Sequence, residues 1–183
     1  MLIDHSRQKL INAIIYFVTN TKSCGKIKLF KLLYFLDFEH YSRTGRNVTG
    51  LDYFAWPMGP VPAELNNELT NPSSDFSQAL EVRSKKIAKG NMLNINPLVS
   101  FSADFFSKRE IKLLEQLASE FKNSYAKDMV EATHLENLPW HEIYEKQGLK
   151  QQQIPYELAL NKAELGQISK NVNEHLEFKA NYR

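Results

Sequence analysis

The sequence predicts a mainly α (α+β) fold, a helical domain around one central apolar helix with a small antiparallel β element. Three observations predict it. Residues 26–43 carry apolar and aromatic groups almost all the way round a helical period, the mark of a helix enclosed by others. Amphipathic 3.6-residue patterns recur at 4–19, 108–122 and 162–177. Residues 79–88 and 92–96 alternate instead with period two, as paired strands do.

Each element follows from local chemistry. In 4–19, Leu10, Ile14, Phe17 and Val18 share one face, and Asp4 or Ser6 can cap the first turn by accepting a free N–H. The polar stretch 19–25 is a loop. In 26–43, Leu29, Leu32, Leu33 and Leu36 hold the period, Phe30, Tyr34, Phe35, Phe38 and Tyr41 widen the apolar face, and Gly45 ends the helix. Residues 48–56 are β-branched and aromatic, hence extended. Met58 to Pro62 form a stiff connection, and Pro62 suits the start of a short helix over 62–70. Residues 71–75 read as a loop, and Gly90-Asn91 as the hairpin turn between the period-two strands. Ser107 and Glu110 make a capping box ahead of 108–122. Ser124 can cap a helix over 125–134, with Met129, Val130 and Thr133 on one face. Pro139 interrupts, a short helix runs to about Tyr144, and Pro155 starts another short element. Leu165, Ile168, Val172 and Leu176 stripe the last helix, 162–177. The expected organisation is one domain over 1–160, with a helix and tail over 161–183 packed on it or extending it.

The 183 residues are 43% hydrophobic and 11% aromatic, enough for a packed core without disulfide or metal. One cysteine, Cys24, cannot form an internal disulfide and lacks zinc-type spacing, which fits a cytoplasmic protein. No run approaches the ~18 uninterrupted apolar residues of a membrane span, and residues 1–20 lack a signal-peptide cleavage site. A net charge of +2 is too small to argue for nucleic acid. Positive charge clusters at Lys22, Lys26, Lys28 and Lys31, and at Arg83, Lys85, Lys86 and Lys89; both clusters read first as solvated surface, and second as a phosphate-binding face.

No catalytic or cofactor pattern stands out. The five histidines lack metalloprotease spacing, the seven glycines form no phosphate loop, and Cys24 has no evident base. A hydrolase or transferase reading rests only on the closeness of His134, His141 and Glu142 in sequence. Asp37 and Glu39, two apart on a helix, point in different directions. The expectation is a non-enzyme that needs no cofactor or metal. Binding is better supported, because Trp56, Met58, Pro60 and Pro62 combine large apolar groups with a stiff backbone. Trp56 reads first as an anchor of the extended segment on the central helix, and Trp140 as a core plug; either can instead touch a partner.

These residues carry a pattern. Lys28-Leu-Phe-Lys-Leu-Leu-Tyr34, Thr44-Gly45, Ala55-Trp-Pro-Met-Gly-Pro-Val61, Thr133-His134 and Pro139-Trp140 together resemble the SocA-like antitoxin, or Panacea, domain, and Ile154-Pro-Tyr-Glu-Leu158 adds to the likeness. The resemblance spans about residues 5–160. Pro57-Met58 between Trp56 and Gly59 is a departure that alters the bend there. The resemblance implies an antitoxin that neutralises the protein toxin encoded beside it by direct contact. It also implies, as an alternative, an adaptor that hands the toxin to an AAA+ protease of the ClpXP type. Lys28, Lys31, Tyr34, Trp56, Gly59, Pro60, Val61, His134 and Trp140 are the family-motif or partner-binding candidates; none has a catalytic role to carry over. Lys28 and Lys31 are expected to face a groove beside Gly59-Pro60-Val61. Some relatives carry an added DNA-binding segment; with a first helix starting at residue 4, neither self-repression nor a nucleic-acid partner is expected here. The free protein is expected to be a monomer or small homo-oligomer.

Overall fold

The computed structural model describes residues 5–87, 90–135 and 138–160. Helix α1 (Ser6–Asn20) leads through a short turn into α2 (Lys26–Thr44), which runs through the centre of the molecule. A tight hairpin follows, β1 (Tyr53–Trp56) and β2 (Gly59–Pro62), then two short helices, α3 (Ala63–Glu68) and α4 (Ser74–Ala79). A longer hairpin, β3 (Leu80–Ile87) and β4 (Gly90–Pro97), precedes α5 (Lys108–Glu120) and α6 (Ala126–Thr133). The one-turn α7 (Pro139–His141) continues as a π turn over Glu142–Lys146, and Tyr156–Ala159 form a 3-10 turn. The architecture is mainly helical with two separate antiparallel hairpins, as the sequence patterns require.

Helix α2 is the hub. It packs against α1, α5, α6, β2 and the 3-10 turn. Leu29, Leu32, Leu33, Tyr34, Leu36 and Phe38 are buried along its length. Leu10, Ala13, Ile14 and Phe17 of α1, and Leu113, Leu114 and Leu117 of α5, complete the same core. Gly45 takes a left-handed conformation (φ 70°) and donates its N–H to Tyr41 O, which ends the helix where the sequence placed its end. Ser107 and Glu110 form the expected reciprocal cap of α5.

Several expectations need correction. Met58–Pro62 is not merely a connection: Pro57 and Met58 turn a hairpin in which Trp56 pairs with Gly59 and Tyr53 with Pro62. Prolines are tolerated in β2 because it needs to bond only one neighbour strand. The loop at 71–75 is cut short by α4, whose Phe76 is fully buried and anchors the helix to the core. Gly90 and Asn91 belong to β4, paired with Ile87 and Lys86, and are strand rather than turn residues. Ser124 does not cap α6; Asp128 Oδ2 accepts the Tyr125 N–H at 2.7 Å instead. α1 starts after His5, whose own side chain does not cap it. Asp4 and the helix expected over 162–177 lie outside the described residues.

Three polar ties hold the periphery to this core. Arg7 forks onto Glu68 (2.6 and 2.8 Å) and Asp75 (2.7 and 2.9 Å), joining α1 to α3 and α4. Lys9 reaches Glu110 at 2.6 Å, joining α1 to α5. Asp37, wholly buried in α2, accepts four bonds: Val48 N–H and Thr49 N–H at 2.8 Å, Thr49 Oγ1 at 2.5 Å and Tyr53 Oη at 2.7 Å. Burial pushes the Asp37 carboxyl up, and these four donors oppose that shift.

Candidate partner-binding surface

The middle of α2 gathers most of the motif residues. Lys31, Tyr34 and Phe38 recur at helical spacing and face the β1–β2 hairpin and the α6–α7 segment. Lys31 is 1% exposed, and its Nζ donates to Pro60 O at 2.8 Å. Burial pushes its amine down to about 7. Gly59 (φ +95°) passes so close that a Cβ there would sit 2.7 Å from Thr133 Oγ1 and 2.8 Å from Lys31 Nζ. Only glycine fits that approach, which explains the Gly-Pro pair opposite the helix. The Tyr34 ring packs on Phe38 (4.4 Å) and edge-on to Tyr53 (5.6 Å).

The second motif closes over the first. Pro139 starts α7, its fixed φ suiting the first helical position. Trp140, 1% exposed, donates Nε1–H to Trp56 O at 2.9 Å. The imidazole of His134 stacks on its indole at 3.8 Å with 3° between planes, and Tyr144 stacks at 4.7 Å. Burial, and secondarily the Lys31 charge, lower the His134 imidazole from its ordinary value. Lys150 lies over the Tyr144 ring at 5.5 Å. The segment after α7 returns to the outer edge of β1: Ala55 N–H donates to Gln152 O and Gln151 N–H to Ala55 O.

The motif therefore divides into a buried part and a displayed part. Trp140 is a core plug, as expected. Trp56 is not the core anchor its first reading made it: its carbonyl is held by Trp140, but its side chain stands 36% exposed at the hairpin end. The alternation of a two-stranded hairpin explains this, since Tyr53 and Ala55 turn inward and Trp56 outward. Beside it Met58 is 55% exposed. Leu135, two residues beyond the Thr133 that abuts Gly59, is 62% exposed. Large apolar groups on a short rigid turn suit a protein contact.

Lys28 behaves differently from expectation. It does not face Gly59-Pro60-Val61 but points toward the start of α2, where Nζ donates to Lys22 O (2.9 Å), Ser124 O (2.8 Å) and Lys122 O (3.4 Å). It is fully buried, and burial lowers its amine. The run Lys22–Lys31 is thus no continuous basic surface, because Lys28 and Lys31 are buried and bonded inside the fold. Cys24 is mostly buried, and burial pushes its thiol up to about 11. His134, His141 and Glu142 do not line either of the two clefts at the α1–α3 side, where Arg7, Glu64 and Glu68 sit. Among the described residues no group of three or more His, Cys, Asp or Glu could hold a metal, and no helix is long and apolar enough to cross a membrane.

Sequence reasoning missed Asp37, the most heavily bonded buried group. Its signal was an acid amid the leucines and aromatics of the central helix, followed by Thr49 and Tyr53 as available donors.

A family model described as antitoxin SocA-like, Panacea domain, matches residues 29–141, well over half of the chain. No curated protein and no solved structure matches it.

Proposed function

Since the chain belongs to the SocA-like, Panacea-domain antitoxin family, we propose that it neutralises a protein toxin encoded beside it, by direct binding through the end of the β1–β2 hairpin. Family membership carries the reading of role. The display of Trp56, Met58 and Leu135 supports the choice of surface. Tryptophan and methionine are enriched at interface centres, and a two-residue turn presents them with little ordering entropy left to lose. The buried shell behind them, Lys31 on Pro60 O and Trp140 on Trp56 O, holds the hairpin in place before a partner arrives. In this reading Lys31, Tyr34, Gly59, Pro60, Val61, His134 and Trp140 position the surface, and Trp56 touches the partner.

The test is growth of cells expressing the neighbouring gene alone, with this protein, and with its Trp56→Ala variant. Rescue by the wild type and loss of rescue by a folded variant support the proposal. A toxic neighbour that the wild type neither binds nor counteracts sinks it. Rescue that needs an AAA+ protease in the host would move the mechanism from blocking to delivery.

A further inference from the structure

We propose that the free edge of β3 takes an extended, acidic segment of a protein partner by strand addition. The proposal does not depend on the antitoxin reading.

In an antiparallel pair, alternate residues of each strand turn their N–H and C=O groups away from the partner strand. β3 pairs with β4 along all eight residues, so its outward groups form a row on the far side. Among the described residues, no backbone group of 81–87 bonds to a segment other than β4. The far edge of β4 is in a different situation. It runs beside Gly25, where a Cβ would meet Met92 Cγ at 2.8 Å and Leu93 O at 3.4 Å. Among the described residues, one edge of the hairpin is closed by the start of α2 and the other is open.

The side chains on the open strand select its occupant. Arg83, Ser84, Lys85, Lys86 and Ile87 are all exposed. Among the described residues only Arg83 has an acidic partner, Glu81 on its own strand at 2.6 Å. β4 carries no charged residue, so the hairpin is a basic strand on a neutral one. A second copy of this chain pairing β3 to β3 would set Arg83, Lys85 and Lys86 against one another, which is unfavourable across strands. Edge lysines in general keep a strand from joining its own copies. The same charges favour a strand carrying Glu or Asp opposite them. A row of unpaired main-chain groups beside those charges favours a polypeptide over a nucleic acid, which would use the cations alone.

The test uses the whole protein, 15N-labelled, titrated with an end-blocked eight-residue peptide of alternating Glu and Val. The same titration is run with its Lys–Val counterpart and with a Glu–Val peptide N-methylated at alternate residues. The Glu–Val peptide is expected to shift the amide signals of 82–87 and to bind more weakly as salt rises. The Lys–Val and N-methylated peptides are expected to leave them unmoved. Lys85→Glu with Lys86→Glu is expected to weaken binding by about tenfold. No shift in β3, shifts confined to another part of the chain, or equal binding of the N-methylated peptide overturns the proposal. So does a short DNA or RNA duplex that moves these signals when the Glu–Val peptide does not, or dimerisation through β3.

Discussion

Replacing Lys31 by methionine should stabilise the protein at neutral pH, and the gain should fade as pH rises. The buried amine is held down to about 7, against an ordinary value of 10.5. Each pH unit of that gap is worth about 1.4 kcal/mol, so burying this group costs about 4–5 kcal/mol at neutral pH and below. The sign follows from proton counting. Between pH 7 and 10.5 the unfolded chain holds a proton that the folded chain has released, so the Lys31 contribution to stability rises with pH across that window. Methionine removes the penalty but leaves Pro60 O without its donor, a loss of about 1–3 kcal/mol. The variant should therefore be more stable by about 2 kcal/mol at pH 7, with its advantage shrinking by about 1.4 kcal/mol per unit and vanishing near pH 9. Urea unfolding of both proteins at pH 7, 8 and 9, followed by circular dichroism, measures this difference. Taking the difference removes the groups common to both, including Cys24 and the buried tyrosines. A stability difference that stays flat over that range refutes the reasoning, because it would mean the amine keeps its ordinary affinity for protons.

Other outcomes follow from the same contacts. Asp37→Ala strands two backbone N–H groups and two hydroxyls and should cost about 3–5 kcal/mol in denaturant unfolding, a large share of a domain's stability. Gly59→Ala places a methyl against Thr133 and Lys31 at an unfavourable φ; a loss of about 2–4 kcal/mol is expected, and a neutral result in thermal unfolding would show that the hairpin can shift. Trp140→Ala should cost about 3–5 kcal/mol, whereas the half-exposed Trp56→Ala should cost about 1–2 kcal/mol. Equal costs for the two tryptophans would contradict their division into plug and display.

The helical frame was legible because its signals are local and periodic. The α2 pattern, the Gly45 stop and the Ser107–Glu110 cap each follow from a few adjacent residues. What escaped was set at long range. Nothing near Lys28 in sequence shows that Ser124 O, 96 residues away, will receive its ammonium, so a buried lysine read as solvated charge. Trp56 and Trp140 are equally apolar, and only the pairing of Tyr53 with Pro62 fixes which face of β1 turns inward. The second strand of that hairpin was obscured by its prolines, which argue against strands except where one edge needs no donor. Asp37 was weighed as half of a carboxylate pair with Glu39, because its donors come from the loop after α2 and the first residue of β1, 11 to 16 residues on.

The most direct measurement is the affinity of the neighbouring gene's product for the wild-type protein and for a folded Trp56→Ala, Met58→Ser double variant, read by calorimetry. The account predicts a stoichiometric complex with the wild type and binding weaker by about thirtyfold or more for the variant, the loss expected from removing a central aromatic anchor. A complex of unchanged affinity would contradict the hairpin end as the binding surface, and no complex with a growth-inhibiting neighbour would contradict the antitoxin assignment itself.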